Sequence, residues 1–495
     1  MNDETVNDGW TTDARGQAEA AWLRARVQLL LWRTHLGVPP ATVDAAFARA
    51  QQWGYAAVVE DVLAYPDAPA TLPPLPPFPR GLPVQFGANE ATGYDHARAQ
   101  LNALQADANV AGLAMLRQWW VQQFVHSDAP LRETLALFWH NHFATGAAKV
   151  GRAHFMLAQN QLFRTHGAGP FGMLVQAVAK DAAMLVWLDG KDNVVGHPNE
   201  NWARECLELF TCGIGHFTER DVREAARAST GWTLDDATDA PRFDPRRFDD
   251  GAKTVLGQTG NLNLDDLAWI AASHLCTRDA LCRKLFAWFV SDDPTDAELL
   301  PLIEAWGASG GEIRAVLRAL FLSDAFTSPR ARQAYLKHPV AWAIGAIRAL
   351  EAAVPPERLY AIVAALGMDL FDPPDGGGWH GGLGWVSPQG QVLRFYLAAE
   401  IADGIAWARA DTDAAFRRLA ERLTGLPVAD DARGRKLATA RPDDPQFFAD
   451  LLDRLGGLSL DDELHDRLLA LGQEGPDGWQ AVLQILLASP AYQMG

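Results

Sequence analysis

Apolar residues recur at three- and four-residue spacing along most of this chain. That periodicity limits the fold more than any other feature, because it puts the apolar side chains of each segment on one face of a helix. AEAAWLRARVQLLLWRTHLG (18–37) carries the pattern and stops at a glycine. PPATVDAAFARAQQWG (39–54) opens on prolines and also stops at a glycine. Proline is tolerated at the start of a helix, and glycine accepts the left-handed turn that closes one. The same reading gives helices over 91–107, 110–126, 130–143, 149–165, 170–188, 200–212 and 219–230. They resume over 264–275, 279–290, 296–307, 310–321, 338–352 and 356–366, and again over 392–408, 411–423, 446–455, 460–471 and 477–488. Strand signals are nearly absent and no fixed-period repeat stands out. The expected fold class is therefore all-α, a large irregular multi-helix bundle rather than a solenoid.

Three stretches interrupt the helices. YPDAPATLPPLPPFPRGLP (65–83) holds too many prolines for a helix or a central strand, so it reads as a stiff extended crossing. DDATDAPRFDPRRFDDGAKTVLGQTGN (235–261) is a long polar loop in which GAKTVLG suggests a short hairpin. FDPPDGGGWHGGLGWVSPQG (371–390) is glycine-rich around Trp379 and Trp385. It lacks the ending of a phosphate loop and the preceding strand of a dinucleotide fingerprint. The organisation expected is a flexible 1–17 followed by one large helical domain over 18–495.

Net charge is −18 over 495 residues. This disfavours broad contact with nucleic acid or anionic membranes, which select for lysine and arginine. No apolar run is long enough for a membrane span. The start, MNDETVNDGW, has neither a basic nor an apolar leader region, so a soluble cytoplasmic chain is expected. Cys206, Cys212, Cys276 and Cys282 lack C-x-x-C spacing and read as free thiols.

Two segments concentrate groups that can do chemistry. FWHNHF (138–143) places His140 and His142 two residues apart. On a continuous helix such rings diverge by about 200°, so they converge only if the helix breaks near Asn141. HPNENWARECLELFTCGIGHFTERDVREAARASTGWT (197–233) is the densest polar stretch. Glu200 with Arg204, Arg204 with Glu208, Glu205 with Glu208, and Glu224 with Arg227 all have the spacing of neighbours on adjacent turns. One reading is a helix-bundle metal site, with His140 and His142 beside Glu205 and Glu208. The Glu-x-x-His pairs of di-iron bundles are missing. The other reading is a buried ion network that ties helices together. No G-x-S-x-G elbow and no H-E-x-x-H appears, so serine-hydrolase and zincin chemistry have no support.

FWHNHF, FRTHGAGPFGMLVQAVAKDAAMLVWLDG (163–190) and PNENWARECLELFTCGIGHFTERDVREAARASTGW (198–232) resemble the bacterial DUF1800 family. DDGAKTVLG, LCRKLFAWFV, LKHPVAW, GWHGGLGWVSPQGQVLR and the closing LLASPAYQ extend the resemblance over about 20–493. It implies a mostly helical protein without an assigned reaction. Members often sit beside proteins that look like sulfatases and phosphatases, which implies a protein partner of that kind. The family pattern maps onto His140, Asn141, His142, Asn199, Glu200, Asn201, Arg204, Glu205, Glu208, Asp221, Arg227, Gly231 and Trp232. This chain has Asp249-Asp250 where histidine-aspartate is usual, which weakens a metal role for that loop, and Phe217 near a usual tyrosine. Export leaders are common in the family and are not seen here.

The leading expectation is an enzyme, oxidative or hydrolytic, using a divalent metal. His140 and His142 would be the ligands, Glu205, Glu208, Arg204 and Arg227 would be catalytic, and Asn141, Glu200, Asn201 and Trp232 would bind substrate. The second is a non-catalytic binding or assembly module for a sulfatase- or phosphatase-like protein. The third, prompted by 18 tryptophans, is a carbohydrate or polymer binder.

Overall fold

A computed structural model describes residues 12–65, 72–79, 91–235, 237–403 and 445–494. The fold is all-α. Among the described residues, β structure amounts to two antiparallel hairpins. Lys253–Val255 pairs with Gln258–Gly260, where GAKTVLG pointed to one, and Trp232–Leu234 pairs with Pro241–Phe243. Among the described residues, no helix is long and apolar enough to cross a membrane. All four cysteines are free.

Helix starts follow local chemistry. Proline occupies the first turn at Pro40, Pro130, Pro339 and Pro356, where its missing N–H costs nothing. Thr218 with Asp221, Asn263 with Asp266, and Thr295 with Glu298 each form a reciprocal capping box.

Several boundaries differ from the periodicity reading. Ala91–His126 is one continuous helix, not two. The polar residues around 107 lower helix propensity, but without a proline they do not break the hydrogen-bond ladder. The segment 170–188 is two helices, Phe171–Ala179 and Ala182–Trp187, because Asp181 turns its carboxylate back to cap Met184. The first helix spans Thr12–His35, so it begins before residue 18. Residues 1–11, the ends of the proline-rich crossing (66–71 and 80–83) and the helix expected over 411–423 lie outside the described residues. The described part of the crossing, 72–79, has no regular structure, and Phe78 packs on His154 with ring centroids 4.9 Å apart.

Buried apolar residues form a continuous cluster running from Val27 to Tyr492. Close helix approach inside it requires glycine. A methyl on Gly37 (φ +92°) would collide with the backbone of Gly345. Arg348 spans the same junction, donating to the carbonyls of Gly37 (2.8 Å), Phe124 (2.9 Å) and Val125 (2.7 Å). It thereby satisfies helix-end acceptors that have no partner within their own helix.

Candidate active site

The helix Pro130–His142 runs through both histidines without a break at Asn141. Convergence of the two rings required a break here, and none is present. The Asn141 carboxamide is used across the fold rather than as a local cap. Its Oδ1 accepts the Trp379 N–H at 2.6 Å, and so docks the glycine-rich loop. With the helix intact, the two rings take different neighbours. His140 is buried among Trp120, Phe371 and Trp379, with ring centroids 5.4–5.6 Å away. Its Nε2 has no hydrogen-bond partner among the described residues, and burial depresses its pKa to about 3.

His142 meets the 199–232 region, but through backbone. Residues Asn201–Glu205 are α-helical, and Cys206–Phe210 widen into a π-helical turn. Such turns shift the register of helix-end carbonyls. Here Thr211 donates to the Cys206 carbonyl (2.5 Å) and the Gly213 N–H to that of Leu207 (3.0 Å). The Phe210 carbonyl accepts from His142 Nε2 at 3.0 Å, and the Leu209 carbonyl accepts from Lys284 Nζ at 2.9 Å. A carbonyl can only accept, so Nε2 carries the proton. The neutral ring then offers Nδ1 as acceptor to Lys284 Nζ, 3.3 Å away. Burial and the Lys284 charge both push the His142 pKa far down.

These contacts form one wall of a cavity of about 260 Å³. The cavity draws on Phe138, Asn141 and His142, on Lys284, Trp288 and Asp292, on Tyr335, Leu336 and His338, and on the loop holding Trp379 and Trp385. Four sequence blocks thus converge from across the chain. Lys284 as a residue is exposed, while its ammonium is drawn in between the Leu209 carbonyl and His142 Nδ1. A recessed ammonium loses hydration, and this lowers its pKa to about 8. Among the described residues no carboxylate pairs with it. Partial desolvation raises the Asp292 carboxyl. His338 accepts the Ala341 N–H at Nδ1 (3.2 Å), which fixes the proton on Nε2, a buried donor without a partner. Its ring stacks on Trp288 at 5.0 Å.

The remaining candidate residues lie elsewhere. Arg204 bridges Glu200 (3.2 Å) and Glu219 (2.8 Å) in an exposed network. Asn201 donates to Asp189 at 3.2 Å. Arg227 grips Asp249 through Nε (2.7 Å) and Nη2 (3.0 Å), and Glu224 through Nη1 (3.0 Å), tying the 235–261 loop to its helix. Trp232 begins the first hairpin and packs on Phe243. Glu205 and Glu208 are half-buried neighbours. Burial, then the Glu208 charge, raises the Glu205 carboxyl. Neither lines the cavity that His142 lines.

The donor set at the histidine pair does not fit a divalent metal. His142 has an ammonium against its one free lone pair, and the His140 ring faces aromatic carbon. Among the described residues no group of three or more His, Cys, Asp or Glu side chains is placed to hold an ion. Sequence reasoning missed Lys284, Asp292, Tyr335 and His338. One signal for Lys284 was present: it shares a helical face with Leu281, Leu285 and Trp288, an apolar stripe in which a lysine is out of place.

No curated protein and no solved structure matches this chain. A family model described as "Protein of unknown function (DUF1800)" matches residues 29–494. The chain, with its FWHNHF, LCRKLFAWFV, LKHPVAW and GWHGGLGW blocks gathered around one cavity, belongs to the DUF1800 family.

Proposed function

We propose that this protein is an enzyme that moves protons on a small organic substrate held in the tryptophan-lined cavity. Lys284 is its central acid–base group. The supporting observation is an ammonium with no carboxylate partner, held between the Leu209 carbonyl and a neutral His142 at the wall of that cavity. Surface lysines titrate near 10.4, too high to act as bases at neutral pH. A lysine brought to about 8 has an appreciable neutral fraction there. Asp292, on the same cavity, holds its proton to higher pH than an exposed carboxyl. Groups displaced toward each other in this way are a mark of acid–base sites. Trp288, Trp379 and Trp385 supply flat apolar surface for the substrate body.

The non-catalytic reading, with a sulfatase- or phosphatase-like partner, draws on the 199–232 cluster. Arg204 and Arg227 spend their donors on neighbouring carboxylates, as a structural network would. That network and a catalytic cavity are compatible, because they use different residues.

Trace acetylation with acetic anhydride across a pH series, resolved by peptide mass spectrometry, tests the proposal without a known substrate. Lys284 is expected to titrate with a midpoint near 8. A midpoint in the ordinary lysine range defeats the reading. Once turnover is found, Lys284→Met should abolish it. Lys284→Arg should not restore it, since a guanidinium stays protonated.

A further inference from the structure

A second and larger cavity, about 540 Å³, lies beyond Tyr335, which lines both. It is walled by the first helix, the 332–341 segment, the Leu455–Ser459 turn and the end of the chain. Three cations contribute to that wall: Arg33, Arg332 and Lys337. Arg33 is 6% exposed and lies flat over the Tyr335 ring at 3.9 Å. One of its amino groups donates to the Ala331 carbonyl. Among the described residues its Nε and other amino group have no hydrogen-bond partner. Lys337 is 5% exposed and donates to the Tyr492 carbonyl at 2.6 Å, over the rings of Tyr492 and Trp32. Arg332 forms no ion pair among the described residues. The indole N–H of Trp32 is also buried without an acceptor among the described residues.

Among the described residues one carboxylate, Asp453, reaches this wall, and it is already engaged by Arg24 (3.2 Å) and Gln28 (3.3 Å). Among the described residues the balance is lopsided: three cations and several orphan donors stand against one carboxylate that is already engaged. Charge removed from water is stable only when countered. Burial, and for Lys337 also the neighbouring Arg33, weakens the hold of both groups on their protons. An anion entering the cavity removes each of these costs at once. Leu29, Leu36, Leu455 and Leu458 line the rest, so the cavity also receives an apolar body. Its volume is in the range of small-molecule sites.

We propose that this cavity binds an organic oxyanion, a carboxylate or phosphate monoester on an apolar body, with Arg33, Arg332 and Lys337 supplying the countercharge. The site is separate from the Lys284 cavity, so its test stands or falls independently of the acid–base reading.

Phenyl phosphate is a suitable probe, with inorganic phosphate and phenol as its two halves. Titration calorimetry on the full chain at fixed ionic strength should show phenyl phosphate binding more tightly than either half. Losing one charge-assisted contact should weaken it about 10- to 100-fold, so Arg332→Gln and Arg33→Gln are expected to show that loss. If Arg33→Gln does not fold, the more exposed Arg332→Gln decides. Absence of phenyl phosphate binding, or equal affinity in wild type and Arg332→Gln, overturns the proposal.

Discussion

Arg164→Met is expected to destabilise the protein by about 3–5 kcal/mol, the range for stranding one member of a buried ion pair. Glu133 is 1% exposed, in the first turn of the helix that carries FWHNHF. Arg164 reaches it from the last turn of Ala153–His166 with both amino groups, one at 2.6 Å. Asn160 takes the remaining Nε–H at 2.7 Å, and Trp119 lies under the guanidinium at 4.6 Å. Burial raises the Glu133 carboxyl and lowers Arg164, and each partner is the main group that holds the other in its charged form. Without the arginine, Glu133 keeps only Arg132, 3.9 Å away, and the Ser127 hydroxyl at 3.3 Å, so burial favours its protonated form. The folded-state pKa of Glu133 in the variant is then raised, so the variant loses stability as pH climbs and regains it in acid. Urea denaturation at pH values on either side of neutrality measures this directly. A deficit that is small, or that does not shrink in acid, would show that the pair is not sealed from water. Arg164→Met with Glu133→Gln should cost less than Arg164→Met alone, because no charge is then stranded.

Gly378→Ala should cost about 2–6 kcal/mol and open the Lys284 cavity as well. The glycine sits at φ +83°, and a methyl there would run into the carbonyl and carboxamide of Asn141. Left-handed strain accounts for about 1–3 kcal/mol, and forcing atoms into a packed junction adds about as much. The junction matters because the next residue, Trp379, donates its N–H to Asn141 and lies against His140. Gly196→Ala separates the two terms. Its φ is +85°, but its added methyl would meet open space. It should carry the strain alone, about 1–3 kcal/mol. Equal thermal shifts for the two variants would show that the Asn141 contact contributes nothing. In Gly378→Ala the Lys284 midpoint should also drift upward as water enters.

The helical architecture was legible because helix periodicity is local: each segment states which face it will bury. The FWHNHF segment shows where that legibility ends. Its helix was readable. The partner of Asn141 was not, because it is an N–H supplied by Trp379, more than two hundred residues away. The link between FWHNHF and NENWARECLEL was anticipated from the wrong atoms. The segments touch through the carbonyls of Leu209 and Phe210, which every sequence possesses, rather than through Glu205 and Glu208. Backbone acceptors carry no residue-specific signature, and a π-helical turn carries little. Lys284 was written into an apolar stripe, but its meaning required His142, Asp292 and His338 to arrive beside it. Spacing within one helix cannot state that.

The strand-like passage from Tyr335 to His338 divides the interior as a party wall divides two rooms. Lys337 faces one side and His338 the other. The wall is braced by the chain's closing residues: Leu336 bridges Met494, the Lys337 N–H donates to the Gln493 carbonyl, and the Lys337 ammonium donates to that of Tyr492. Deleting a single residue within the wall would turn its side chains over and exchange the furniture of both rooms. The two cavities are therefore coupled through one segment, and the residues that brace the wall serve both.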